Sequence, residues 1–166
     1  MAPTMTLPVP ISFELPNGWL PADPAEAGAP GMLFVAKHPS SSMGPEKIST
    51  NISISGYRRD GVEPSAIADE SLERLRQGAT VEVLKRAPAG TLRTPGFAQL
   101  LGLTLDDNGR QVRLIQQQVY LSMPDVDDPY KRATVEFMFT CAPRRYRELI
   151  GDFVWFLRTV RPITRR

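Results

Sequence analysis

The sequence is short of the residues from which most enzyme and metal sites are built. Its 166 residues include one cysteine, Cys141, and one histidine, His38. A single cysteine cannot form an intrachain disulfide, and this pair is too small for a Cys/His zinc site. The motifs of phosphate-binding loops, nucleophile elbows and zinc proteases are also missing. We therefore predict a protein that is not an enzyme and that binds no metal and no cofactor.

Long apolar runs are missing as well. Uninterrupted apolar stretches such as Phe153–Leu157 fall far short of the roughly 20 residues that a membrane-spanning helix needs. Met1–Pro10 has no basic region followed by an apolar one, and no cysteine near the start could carry a lipid. From these absences we expect a cytoplasmic protein without an integral membrane segment.

The chain has no strong excess of one charge. Its 20 basic and 18 acidic residues give a net charge of +2. This balance does not favour a nucleic-acid partner, and none is expected. The C-terminal part is the local exception, because residues 143–166 carry seven arginines against Glu148 and Asp152.

What the sequence does contain is a clear change of period in its last quarter. Residues 133–142 alternate as in a β-strand, with Ala133, Val135, Phe137, Phe139 and Cys141 on one parity. From Pro143 onward, apolar residues recur at intervals of three and four, at Tyr146, Leu149, Ile150, Phe153, Val154, Leu157 and Val160. This spacing predicts a terminal helix whose apolar stripe lies on a sheet.

Similar patterns place the other elements. Strands are predicted at 11–15, 32–36, 48–55, 81–85, 97–105 and 110–123. A helix is predicted to open at Glu63 and close at Gly78, with an apolar stripe of Ile67, Ala68, Leu72 and Leu75 and the small Ser71 on the same face. Asn108-Gly109 predicts a tight hairpin turn. Within 110–123 the apolar parity switches, which predicts a β-bulge near Gln116–Gln118.

This order of elements predicts an α+β fold. Because the last strands are joined by short connections, we expect a twisted, mainly antiparallel sheet of about six or seven strands with two helices packed on it. A half-open barrel around one helix is the alternative. We expect one domain over 1–166, with residues 1–10 as a loose N-terminal segment and residues 161–166 as a basic tail.

The opening Leu-Pro-Asn-Gly-Trp of Leu15–Trp19, this order of elements, and a last helix with Phe153, Phe156 and Val160 resemble the PsbP-like superfamily. Its relatives include the DcrB-like proteins and the LpqN-type lipoproteins. The resemblance covers nearly the whole chain and implies an α/β/α sandwich. It also implies an accessory subunit, chaperone or binding module rather than an enzyme. No functional residue carries over, since the superfamily has no shared catalytic motif.

The relatives differ in their cellular setting. The LpqN-type pattern includes a signal peptide and a lipid-attachment cysteine, which this sequence does not show. In that respect the chain is more similar to the cytoplasmic DcrB-like secretion chaperones. The resemblance thus implies a chaperone for secreted or membrane-bound clients.

The terminal helix carries a second stripe, opposite the apolar one, that is the predicted functional surface. It contains Arg144, Glu148, Gly151, Trp155 and Arg158. Tryptophan and arginine are enriched among interface anchors, and a helical glycine costs about 1 kcal/mol relative to alanine. We predict that Trp155, Arg144, Arg158 and Gly151 bind a protein client or a second copy of the chain. The alternative is that the proline-rich N-terminal segment covers Trp155.

Three groups of side chains have an ordinary structural explanation as well as a functional one. Asp125, Asp127 and Asp128 lack the glycine and distal glutamate of a calcium loop, which favours a solvated acidic loop. Gln116 and Gln118 share a strand face opposite Gln117; they would offer amides to a ligand or face solvent. Cys141 is expected to be a small buried hydrophobic residue.

Two further functions are kept as alternatives. A carrier of small amphiphiles would use a cleft between sheet and helix lined by Met123, Met138 and aromatic residues. A hydrolase would use His38 with a serine, although a flexible loop is the ordinary explanation of His38 and the adjacent Ser40–Ser42 run.

Overall fold

The computed structural model describes residues 4–5, 11–26, 31–39, 50–58, 61–125, 128 and 130–162. Its strands are β1 (Thr4–Met5), β2 (Ile11–Ser12), β3 (Leu20–Ala22), β4 (Phe34–Lys37), β5 (Asn51–Arg58), β6 (Thr80–Gly90), β7 (Pro95–Asp107), β8 (Arg110–Pro124), β9 (Arg132–Cys141) and β10 (Arg161–Pro162). Its helices are α1 (Pro64–Arg76) and α2 (Tyr146–Thr159), and a single 3-10 turn, Pro143–Arg145, leads into α2.

Seven of the described strands form one open sheet in the order β3-β4-β5-β9-β8-β7-β6. Each neighbouring pair is antiparallel, which confirms the predicted α+β fold. A small sheet, in the order β1-β2-β10, joins the two ends of the chain. Its outer strands fall within the segments expected to be a loose N-terminus and a basic tail.

The two helices pack on opposite faces of the large sheet, and this confirms the sandwich over the half-open barrel. Helix α2 and the residues before it cover the aromatic core around Phe137, Phe139 and Phe156. Helix α1 covers the other face, where Ile67 and Ala68 meet Tyr120 and Leu72 meets Leu101 and Leu103. We call these the α2 face and the α1 face.

The switch of parity in β8 has a different cause from the predicted bulge. Strand β8 keeps one continuous register with β7 and with β9. The prediction of a bulge near Gln116–Gln118 is therefore wrong. Even-numbered residues such as Leu114 and Tyr120 lie under α1, whereas Val119 and Met123 lie under α2. Since each helix covers a different part of β8, the apolar parity changes with the helix. A register shift lies instead in β6, between Val83 and Lys85.

The apolar stripe of α2 is confirmed except at one position. Leu149, Phe153 and Phe156 are buried, while Val154 is 39% exposed. The prediction of Val154 in the buried stripe is therefore wrong, and Phe156 takes its place beneath the helix. Phe156 contacts Phe13 edge to face, with 5.5 Å between the ring centroids.

Element boundaries differ mainly in the first third of the chain. Strand β3 was not predicted, and the predicted strand at 11–15 is shorter in the structure. Helix α1 ends at Arg76, and the backbone N–H of Gly78 donates to the carbonyl of Leu75, as expected of a closing residue. Ser40–Ser42 lie outside the described residues.

Candidate functional site

The predicted site residues lie on the outer face of α2 and in the 3-10 turn that leads into it. Arg144, Gly151, Trp155 and Arg158 are all exposed, and Trp155 keeps 45% of its surface accessible. Gly151, Trp155 and Arg158 follow one another at intervals of four and three, which places them on one side of α2, whereas Arg144 lies in the 3-10 turn before the helix. We call these residues, with the adjacent exposed Val154, the α2 stripe. The described residues do not bury Trp155 as the alternative interpretation requires.

Gly151 leaves a gap in the middle of the α2 stripe. A Cβ atom built at this position would meet nothing within 4 Å. The described neighbours therefore do not require glycine here, although glycine weakens a helix by about 1 kcal/mol relative to alanine. Gly151 and Trp155 are four residues apart and so are neighbours on the helix surface, which leaves room for another molecule beside Trp155.

The charges at the start of α2 are partly compensated. Arg144 and Arg145 lie where the helix dipole disfavours cations. Arg145 forms an ion pair with Glu148 at 3.1 Å, with 15% of the arginine side chain exposed. Arg147 and Arg158 are exposed farther along the helix, so the outer face of α2 remains basic around an apolar centre.

Trp19 fixes the position of α2 from below. The Pro16–Trp19 turn closes with a hydrogen bond from the Trp19 N–H to the Pro16 carbonyl, and Gly18 adopts a φ of 89° that favours glycine. This turn directs the Trp19 indole into the core, where its Nε1 donates to Asp152 Oδ2 at 2.8 Å. The Leu-Pro-Asn-Gly-Trp segment therefore holds the helix that carries the α2 stripe.

His38 lies beside the same contact. Its ring meets Trp19 edge to face at a centroid distance of 5.3 Å. Burial and then the Arg145 guanidinium lower the pKa of His38, while the Asp152 and Glu148 carboxylates oppose this shift. The hydrolase alternative stays a prediction, because the Ser40–Ser42 run beside His38 lies outside the described residues.

The glutamines of β8 are structural where they are buried. Gln118 lies under α1, where it accepts hydrogen bonds from Gln99 Nε2 at 2.7 Å and Tyr120 Oη at 2.8 Å. It donates to Gln116 Oε1 at 2.7 Å, and Gln116 donates to Thr140. Gln117 lies on the opposite face, as predicted. Gln118 therefore neither faces solvent nor offers a free amide to a ligand.

The acidic loop differs from its prediction. Asp125 is buried and forms an ion pair with Arg58 at 2.9 Å, so its assignment to a solvated loop is wrong. Asp128 lies 3.9 Å from Lys131, and Asp127 is outside the described residues. No group of three or more potential metal ligands occurs among the residues that the structure describes.

Two remaining predictions concern sulfur-containing side chains. Cys141 is fully buried, and burial raises the pKa of its thiol to about 12, which confirms the structural interpretation. Met123 lies in the core under α2, whereas Met138 pairs with Gln118 and so lies on the α1 face. The predicted carrier cleft is wrong, because these two methionines are on opposite sides of the sheet.

The fold is that of the PsbP-like proteins. LpqN, which is involved in cell envelope biogenesis of Mycobacterium tuberculosis, is similar with a TM-score of 0.64 and 11% identity over 93% of this chain and 83% of LpqN. CyanoP, the PsbP of Synechocystis sp. PCC 6803, has a TM-score of 0.59 and 12% identity over 92% of this chain and 86% of CyanoP.

A protein of unknown function from Pseudomonas aeruginosa is also similar, with a TM-score of 0.53 and 19% identity over 80% of this chain and 81% of that protein. At these identities the similarity shows the fold alone. No protein-family profile and no curated protein sequence matches the chain. Among the described helices, none is both long and apolar enough to span a bilayer.

Proposed function

We propose that the protein is a non-enzymatic accessory module that binds another protein through the α2 stripe. The observation that carries this proposal is the exposure of Trp155, 45% accessible, beside the open space at Gly151. Burying a tryptophan in an interface contributes more binding energy than most residues do. The surrounding arginines would supply donors to carbonyl or carboxylate groups of the partner.

The fold supports an accessory role. PsbP-like proteins include LpqN, a protein involved in cell envelope biogenesis, and CyanoP. For this chain we propose a client that is a secreted or membrane-bound protein, bound by a chaperone-like module. The cytoplasmic location stays a prediction, which cell fractionation tests.

The binding surface is tested by site-specific photo-crosslinking in the cells that make the protein. A photoreactive phenylalanine derivative, which keeps an aromatic ring at the substituted position, replaces Trp155 in one variant and Tyr130 in a matched control. Tyr130 is also an exposed aromatic residue, 95% accessible, but it lies in the loop before β9. We expect discrete crosslinked products at position 155 that are missing at position 130. Identical products at both positions, or none at 155, would contradict the proposal.

The other predicted partner of the α2 stripe is a second copy of the chain, and sedimentation velocity tests for it. Trp155→Arg places a charge at the centre of the stripe. If the stripe forms a homodimer, sedimentation velocity will show a dimer for the wild type and a monomer for the variant. An unchanged sedimentation coefficient would assign the crosslinks at position 155 to a different protein.

A further inference from the structure

Strand β8 extends past the end of its neighbour β9. Strand β8 pairs with β7 from Arg110 to Leu121, but with β9 only from Ile115 onward. On the β9 side, residues 110–114 therefore have no strand partner in the described part of the chain. Pro143 explains where the pairing stops: in the continued register it would lie opposite Arg113, and proline has no N–H to donate.

The hairpin turn determines which backbone groups face this open edge. Asn108 and Gly109 both have positive φ, 52° and 83°, as in a two-residue type I′ turn. In such a hairpin the closing residues, Asp107 and Arg110, exchange backbone hydrogen bonds, and the pattern then alternates. The N–H and C=O groups of Gln111 and Arg113 therefore point away from β7, toward the open edge.

A groove runs along this edge. It has a volume of about 320 Å³ and is lined by Arg110, Gln111, Val112, Arg113, Ala142, Pro143 and Arg144. Arg110, Arg113 and Arg144 are exposed, and neither Arg110 nor Arg113 has an ion pair with a described residue. The acidic residues of the hairpin end are Asp107, opposite Arg110, and Asp106, which accepts from the Gly109 N–H.

We propose that the open edge of β8 binds an extended acidic segment of a partner protein, which adds a strand antiparallel to β8. Two kinds of group would recognise this segment. The backbone groups of Gln111 and Arg113 would pair with the added strand, and the guanidinium groups of Arg110 and Arg113 would lie on its two faces. Strand addition of this kind supplies affinity through the main chain and specificity through alternate side chains. The open edge of β8 and the α2 stripe are separate surfaces, although Arg144 belongs both to the stripe and to the lining of the groove.

The register defines the segment that fits. Side chains directly opposite one another on paired strands interact. An acidic residue is therefore expected opposite Arg113, an apolar residue opposite Val112, a polar residue opposite Gln111 and a second acidic residue opposite Arg110. In an antiparallel strand this reads acid, apolar, polar, acid from the amino end.

The test uses the full chain, labelled with nitrogen-15, and the peptide acetyl-Ser-Glu-Val-Thr-Glu-Ser-amide. Amide hydrogen exchange of Gln111 and Arg113 should slow about five-fold at saturating peptide, because each N–H gains a hydrogen bond. The amides of Val112 and Leu114 already bond to β7 and should not change. Absence of added protection at Gln111 and Arg113 would overturn the proposal.

Chain variants separate the backbone contribution from the charge. Gln111→Pro removes one outward N–H without removing a bond to β7, and should weaken peptide binding about five-fold. Arg113→Glu should weaken it about ten-fold at low salt, whereas the matched control Arg74→Glu, on the exposed side of α1, should have no effect.

A modified peptide excludes simple charge attraction. Methylation of the peptide nitrogens of the first glutamate and the threonine removes the donors that face β8 but keeps both carboxylates. Equal affinity of the methylated and the unmethylated peptide would overturn the proposal. The arginines would then serve to keep this edge strand from aggregating. Trp155→Ala should not alter peptide binding, so the two surfaces are tested separately.

Discussion

The two tryptophans show how one residue type serves two purposes in this protein. Trp19 is buried beneath α2 and donates to Asp152 at 2.8 Å. Trp155 lies on the outer face of the same helix and is exposed. Sequence patterns predicted the position of Trp155, because it follows from the 3.6-residue period of α2. The Trp19–Asp152 contact joins residues 133 positions apart, and no local pattern encodes such a pairing.

We expect Trp19→Phe to lower the free energy of unfolding by about 2 kcal/mol, because it removes a hydrogen bond to a partly buried carboxylate. Trp155→Phe should change it by less than about 0.5 kcal/mol, as for most surface substitutions. Urea denaturation of the wild type and both variants measures the difference. Equal losses for the two variants would show that Trp155 is part of the folded core.

Gly151 should tolerate a side chain as far as folding is concerned. Gly151→Ala is expected to raise the free energy of unfolding by about 0.5–1 kcal/mol, since the new Cβ meets nothing and alanine favours the helix. Gly96→Ala is the contrasting control, because its Cβ would lie 2.4 Å from the Tyr120 carbonyl oxygen. A destabilised Gly151→Ala would mean that the gap is needed for folding rather than for contact.

His38 should give the stability a defined pH dependence. Its pKa in the folded chain is lowered from 6.5, chiefly by burial and then by Arg145. Below about pH 6.5 the unfolded chain therefore binds more protons at this site, and the free energy of unfolding falls as the pH decreases. We expect His38→Gln to make this decrease less steep in urea denaturations between about pH 7.5 and 5.5. An identical pH profile would assign the effect to other groups.

At the scale of elements, β8 shows which structural features follow from local sequence patterns and which do not. The strand and its hairpin were predicted from alternation and from Asn108-Gly109. The bulge was wrong because alternation alone does not tell which face of a central strand each helix covers. The open edge beside Arg113 could not be predicted either, because it depends on the register between β8 and β9 and on the place of Pro143 in that register.

The amide network under α1 should be sensitive to the loss of Gln118. Gln118→Ala leaves Gln99 Nε2 and the Tyr120 hydroxyl without a shared acceptor in a buried site. We expect a loss of about 2–3 kcal/mol in the free energy of unfolding, because unsatisfied buried donors are costly. Gln117→Ala, on the half-exposed opposite face, is the control and should cost less. A larger loss for Gln117→Ala would show that the network contributes little.

At the scale of the whole molecule, the fold brings the two proposed binding surfaces next to each other. Helix α2, the 3-10 turn before it and the open edge of β8 meet near Arg144, so the α2 stripe and the groove are neighbours. We propose that residues 1–166 form one domain, in which the small sheet ties both ends of the chain to the core. The likeness to LpqN, at 11% identity, shows the fold alone, so the two surfaces proposed here are argued from this chain's own residues.

The central claim is that Trp155 anchors a protein partner, and the most direct measurement is a dissociation constant. Isothermal titration calorimetry would use the partner recovered by crosslinking at position 155, with wild-type chain, Trp155→Ala and the control Tyr130→Ala. We predict that Trp155→Ala weakens binding by about 30-fold or more, which corresponds to an interface hot spot of about 2 kcal/mol, and that Tyr130→Ala binds like the wild type. Equal affinity of the wild type and Trp155→Ala would contradict the account.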